Sequence, residues 1–267
     1  MTASESFWKK HHFLLRRLHS LTGIVPIGVF LMAHLLTNSS ILWGKLGLRG
    51  EHAESGVVEG GVRYFNEEVT WINEQIPHLL LIEITLWAAI GFHSILGVMY
   101  AMSGQSNTRA YGYGDNWRYR LQRVSGYVGI AFIFYHVATL RWGWSFLVPS
   151  GTVWSHHFAS STLATALRGG TDGFTAMGVL VSLFYFVGIT MLVFHFANGM
   201  WTAAITWGIT VSQSAQRRWG VACLGLGASL MVMAWGALAG FVLLDPIKAR
   251  ALEDEKAGIT GLSPEKR

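Results

Sequence analysis

Charge is scarce in this 267-residue chain: Asp, Glu, Lys and Arg make up only 13% of it. Together with a positive mean hydropathy, that share excludes an ordinary soluble globular domain and points to the bilayer. Cysteine is scarcer still. Cys223 stands alone, so the chain can form no intrachain disulfide and offers no cysteine set for an iron–sulfur centre. A metal that carried electrons here would need other ligands. The formal charge of +5 is modest, and nothing in it suggests a nucleic-acid partner. No cleavable signal is recognisable, because the basic stretch Lys9 to Arg17 leads straight into a run long enough to cross a membrane. What the chain does have is 31 glycines and 12 tryptophans. Glycine lets membrane helices approach closely, and tryptophan favours the interface.

A crossing helix needs roughly 20 apolar residues. Five segments qualify, at about 18–42, 77–102, 121–147, 174–210 and 219–244. The fourth is too long for one perpendicular crossing, which implies tilt or projection from the membrane. Asp245-Pro246 stops the fifth. There is no second composition regime. The expectation is one all-α integral membrane domain over 18–244, between an N-terminal segment 1–17 and a polar tail 245–267. Its five helices should form an up-down antiparallel bundle. Between the third and fourth spans, His156 to Leu167 alternates apolar and small polar residues and reads as a short interfacial helix. His156 and His157 read as exposed loop residues.

Lys and Arg in the flanks give the orientation. Lys9, Lys10, Arg16 and Arg17 precede the first span. Arg109, Arg118, Arg120 and Arg123 lie around the second-to-third connection, and Arg217 and Arg218 around the fourth-to-fifth. The opposite loops carry only Lys45, Arg49, Arg63, Arg141 and Arg168. The N-terminus is therefore expected in the cytoplasm and the C-terminus outside. The tail departs from the rule with Lys248, Arg250, Lys256, Lys266 and Arg267, but a last helix rarely dictates topology.

Ionisable residues inside a membrane are rare and usually functional. His34, His93, His136 and His195 fall within the first four spans, one in each. A lone membrane histidine often does no more than bridge helices by hydrogen bonds. One on each of four successive helices favours a shared purpose, and depth sharpens the point. At 1.5 Å per residue, His34 lies about 25 Å and His136 about 20 Å from the cytoplasmic side. His93 lies about 24 Å from the outer side, because its helix runs the other way. His195 is twenty-one residues after Phe174 on a helix that also starts outside. The level pairs are His34 with His136, in the outer half, and His93 with His195, in the inner half. Two facing imidazoles suit a six-coordinate haem iron, and haem suits a helix-bundle interior. Such ligation leaves no open iron position, so the expected task is electron carriage by two haems enclosed by the first four helices.

Phe92-His93-Ser94-Ile95-Leu96-Gly97 and Phe194-His195-Phe196-Ala197-Asn198-Gly199 share the pattern Phe-His-x-x-x-Gly. A glycine four residues on shares the histidine's face, as does Gly129, seven before His136. This gives a flat porphyrin clearance, and it equally fits ordinary small-residue packing. Arg17, His19, Ser20 and Arg123, with Arg16, cluster at the cytoplasmic ends of helices one and three. They suit haem propionates, since Arg pairs well with carboxylates, and they also anchor the topology. Glu83 is the one acid well inside a span. Its depth near the outer histidine pair fits a proton carrier for a quinone, and fits a solvated helix-end residue equally well.

Three stretches carry a family resemblance. Arg16-Arg17-Leu18-His19-Ser20-Leu21-Thr22-Gly23 leads to Ala33-His34-Leu35. Leu121-Gln122-Arg123-Val124-Ser125-Gly126 leads to Tyr135-His136-Val137. Phe194-His195-Phe196-Ala197-Asn198-Gly199-Met200-Trp201 runs into Thr206-Trp207-Gly208-Ile209-Thr210. From roughly Phe13 to Val211 the chain resembles the single-chain dihaem cytochrome b anchors of succinate dehydrogenases and fumarate reductases. The resemblance implies that His93 and His195 hold the haem b nearer the cytoplasm, and His34 and His136 the outer one. It implies a flavoprotein subunit, where succinate is oxidised, and an iron–sulfur subunit, both on the cytoplasmic face of a bacterial membrane. It further implies a quinone substrate, often menaquinone in this class, reduced near the outer side. Some fumarate reductases of the family carry a proton-conducting glutamate two residues before the helix-four ligand. Here that position is Val193, which favours succinate oxidation helped by the membrane potential.

Three rival readings bear on the same residues. The cytochrome b of a formate dehydrogenase or hydrogenase needs the same histidines but not these motifs. A transporter or proton channel with relay histidines needs no level pairing and would be colourless. A di-iron lipid enzyme needs histidines a few residues apart, whereas the adjacent pairs His11-His12 and His156-His157 fall on opposite sides of the membrane.

Overall fold

The computed structural model describes the backbone of residues 3–103 and 116–256, and the side chains of 10–103 and 117–256. Arg109, Lys266 and Arg267, with the rest of the tail after Lys256, lie outside the described residues. The described chain is helical throughout its regular structure: α1 Ala3–Ile24, α2 Pro26–Trp43, α3 Val57–Gln75, α4 Leu79–Ser103, α5 Asn116–Leu140, α6 Ala159–Arg168, α7 Ala176–Thr206, α8 Gln213–Leu243 and α9 Pro246–Lys256. Among the described residues five segments are long and apolar enough to cross a membrane: Lys10–Gly47, Leu79–Ser103, Trp117–Leu140, Ala176–Thr206 and Gln213–Leu243. The many large apolar side chains left exposed along them, such as Val29, Leu80, Leu180, Leu224 and Val232, are what lipid contact requires.

The ends of these helices differ from the sequence expectation for local reasons. The first apolar run is one segment but two helices, because Pro26 has no N–H to continue the ladder. Proline fits the first position of the next helix instead. The third apolar helix ends at Leu140 rather than near 147, where Gly143 takes φ +70. The fourth ends at Thr206, where Gly208 takes φ +72 and the Ile209 N–H turns back to the Ala204 carbonyl at 2.8 Å. The fifth begins at Gln213, six residues earlier than its apolar run. Ser212 Oγ caps it by accepting from the Ala215 N–H at 3.2 Å.

By internal packing the chain falls into two compact units. One comprises Met1–Ala33, Leu80–Ile130 and Thr190–Met231, the other His34–Leu79, Ala131–Ile189 and Val232–Arg267. The second unit holds three helices outside the apolar segments, α3, α6 and α9. Sequence reading anticipates α6 but leaves α3 as loop and α9 as tail. The apolar face of α3 is Val62, Phe65 and Val69, all buried, at the spacing of one helix stripe. Asp245 starts α9 by accepting from the backbone N–H groups of Ile247, at 2.9 Å, and Lys248, at 3.3 Å. Asp245-Pro246 thus opens a helix as well as ending one. From α9, the buried Glu253 accepts from Asn66 Nδ2 of α3 at 2.8 Å and from the N–H groups of Ser160 and Ser161 of α6 at 2.8 and 3.2 Å. The Ser161 hydroxyl donates to its second oxygen. A carboxylate at a helix N-terminus meets both unpaired donors and the favourable end of the helix dipole. Arg63 of α3 bridges Glu59 and Glu255 at 3.1 and 2.9 Å.

Candidate functional site

Each unit contains one pair of the intramembrane histidines. In the first, the His93 and His195 rings stand 6.1 Å apart, centroid to centroid, and nearly perpendicular. In the second, His34 and His136 stand 5.7 Å apart, also edge-on. Two nitrogen–metal bonds of about 2 Å to one shared ion put imidazole centroids about 6 Å apart. Both pairs therefore have the separation of axial ligands to a single iron.

The first pair is held by its surroundings. His93 Nδ1 lies 2.8 Å from the His19 carbonyl, and His195 Nδ1 lies 3.1 Å from both the Gln122 carbonyl and Ser125 Oγ. A carbonyl only accepts, so each Nδ1 carries the hydrogen and each Nε2 keeps its lone pair for a metal. Gln122 is fixed in turn. It donates to the His195 carbonyl at 3.1 Å and accepts from Asn198 Nδ2 at 2.8 Å. Arg118 Nε donates to Asn198 Oδ1 at 3.0 Å and lies over the Trp201 ring at 4.1 Å. Two glycines leave room for the rings. A Cβ on Gly23 would come within 2.6 Å of His93 Cε1, and one on Gly126 within 3.2 Å of His195 Cε1. The glycines singled out by spacing face other groups. Gly97 lies against His19, Gly129 against Leu192, and Gly199 meets Gln122 at ordinary contact distance.

The second pair sits among aromatics. The His136 ring lies 5.7 Å from Phe132 and 5.8 Å from Tyr185. Its Nδ1 is buried without a hydrogen-bond partner among the described residues. The His34 carbonyl accepts from Asn38 at 2.8 Å, and the His136 carbonyl accepts from Thr139 at 3.2 Å.

Of the polar residues proposed from sequence, His19 lies beside His93, and Arg17 and Ser20 both meet Trp207. The His19 ring stacks on His93 at 4.0 Å, and Ser20 Oγ accepts from Trp207 Nε1 at 2.7 Å. Arg17 lies over Phe13 at 4.2 Å and leaves its buried Nε without a hydrogen-bond partner among the described residues, a donor available to an anion. Arg123 instead pairs within its own helix, donating to Tyr119 Oη at 2.6 Å. Glu83 is half-buried on α4 and belongs to the first unit, not to the unit of His34 and His136. The supporting residues Gln122, Ser125, Asn198, Gly23 and Gly126 all lie in the strings that carry the resemblance, where no role is legible for them. Tyr185 and Arg118 carry no sequence signal beyond their type.

The chain is 31% identical over 206 residues to the succinate dehydrogenase cytochrome b558 subunit of Bacillus subtilis, a match that covers 77% of this chain and 85% of that protein. No family model matches the chain. No solved structure matches it. With five membrane-length apolar helices and similarity over most of both sequences, the chain belongs to the succinate dehydrogenase cytochrome b subunits.

Proposed function

We propose that this chain is the dihaem membrane anchor of a succinate:quinone oxidoreductase, with His93 and His195 as the axial ligands of one haem b and His34 and His136 as those of the other. When bound, the haems supply one-electron carriage between the iron–sulfur subunit and a membrane quinone, menaquinone being the expected one. The observation that carries the reading is the pair of ring separations, 6.1 and 5.7 Å, each from histidines on different helices.

The chain's own residues prepare the sites. The His19 and Gln122 carbonyls fix the ring orientation and tautomer of His93 and His195. Gly23 and Gly126 admit the rings, and the apolar helices exclude water. Arg17, His19 and Ser20 would meet propionates of the haem on His93, with Arg123 as a further cation from α5. Glu83 is the candidate to hold and release a proton for the quinone. The flavoprotein and iron–sulfur subunits dock on the cytoplasmic face of the bacterial membrane, with the N-terminus on that side and the C-terminus outside. Succinate oxidation itself belongs to the flavoprotein.

The reading is tested by a reduced-minus-oxidised spectrum of the purified complex with haem counted per chain. Two haems are expected, falling to one in His34→Ala and to one in His93→Ala, with different absorption bands surviving. Loss of neither haem would refute the ligand assignment.

A further inference from the structure

Outside the histidine pairs, a second group of potential ligands meets in the second unit. Glu74 is at the C-terminal end of α3, and His156 and His157 lie in the turn that precedes α6. His156 Nε2 and His157 Nδ1 lie 3.9 and 3.8 Å from Glu74 Oε1, and one ligand atom from each of the three falls within 4.8 Å of the others. These separations exceed a hydrogen bond. They are a few tenths of an ångström wider than the edges of a tetrahedron with metal–ligand bonds of about 2.1 Å. The two rings lie 3.9 Å apart, centroid to centroid, at an angle of 43°.

We propose that Glu74, His156 and His157 form a surface site for a divalent transition-metal cation such as zinc. Two imidazoles and one carboxylate favour that class over calcium or magnesium, which take oxygen ligands. With three protein ligands, the remaining position is left to water. The scaffold is already built. The ligands come from α3 and from the turn before α6, and these two helices are tied together by the Ser160 hydroxyl on Asn66 Oδ1 at 3.0 Å and by the shared carboxylate of Glu253. The turn itself is closed by the Phe158 N–H on the Ser155 carbonyl at 3.2 Å and by the Ser155 N–H on Thr162 Oγ1 at 3.3 Å. Arg141 faces His156 and Lys256 faces Glu74, so a bound cation works against two positive charges. The expected affinity is therefore below that of a closed four-ligand structural site.

The proposal is independent of the haem reading. The detergent-purified complex, stripped with EDTA, is titrated with zinc by calorimetry and with cobalt(II) by absorption. One site per chain is expected, weakened at least tenfold by His157→Ala and by Glu74→Gln, and unaffected by His11→Ala combined with His12→Ala. His157 is more than half exposed and Gln keeps the shape of Glu, so neither variant threatens folding. Absence of stoichiometric binding, or binding unchanged in either variant, overturns the proposal.

Discussion

Gly23 illustrates how little space one residue leaves. A methyl group there would lie 2.6 Å from the His93 ring, well inside contact distance, so the imidazole must turn or the helix must move. Gly23→Ala should reduce haem from two to about one per chain while the spectrum of the haem on His34 and His136 persists. Haem quantification checks this directly. Asn198 acts one step further out, linking Arg118 to Gln122, whose carbonyl faces His195. Asn198→Leu removes both links and leaves the part-buried Arg118 Nε donor and Gln122 Oε1 acceptor unpaired, at about 1–3 kcal/mol. It should lower the temperature of haem release and shift the midpoint potential of the haem on His93 and His195. The pairing of the four histidines is legible in sequence because one ionisable group on each of four apolar runs, at two matched depths, marks them out together. Gln122, Ser125 and Asn198 are not, because short polar residues in a membrane helix satisfy themselves in many ways. Ser125 also donates to the Gln122 carbonyl within its own turn. Gly23 and Gly126 are passed over because their clearance comes from a neighbouring helix, which periodicity within one helix cannot reveal.

At the scale of elements, apolar length finds the five long helices with ends off by up to eight residues, and departures lie at proline, glycine and serine ends. The three short helices of the second unit are harder to read. Helix α3 mixes its apolar stripe with Glu59, Glu67, Glu68 and Glu74, and α9 carries Lys248, Arg250, Glu253, Asp254, Glu255 and Lys256 within eleven residues. What holds α9 in place is the carboxylate of Glu253, 2% exposed, and a sequence does not show which of fifteen acidic residues will be buried. Glu253→Ala would strand the Asn66 amide and the donors of Ser160 and Ser161, at about 3 kcal/mol. Hydrogen exchange should then rise in 57–75 and 159–168, while haem content stays at the wild-type value. Protection unchanged in those segments would mean the carboxylate does not secure them.

For the whole molecule, the Lys and Arg flanks predict that the two ends of the described chain lie on opposite faces of the membrane. A phosphatase reporter fused after Lys256 should be active outside the cytoplasm, and the same reporter fused ahead of α1 should not. The direction of electron flow belongs to this scale too. Val193 precedes His195 by two residues and is 1% exposed, and its side chain carries no titratable group to pass a proton there. In sealed vesicles, succinate:quinone activity should fall when an uncoupler collapses the membrane potential. Activity indifferent to the uncoupler would count against this account.

The carboxylate that ties α3, α6 and α9 together also imposes an order on biogenesis. Glu253 follows Asn66 by 187 residues and Ser160 by 93, and all five apolar segments precede it. A ribosome therefore delivers the donors long before their acceptor. Until α9 is made, the partly built protein must hold α3 and α6 without the carboxylate that clasps them.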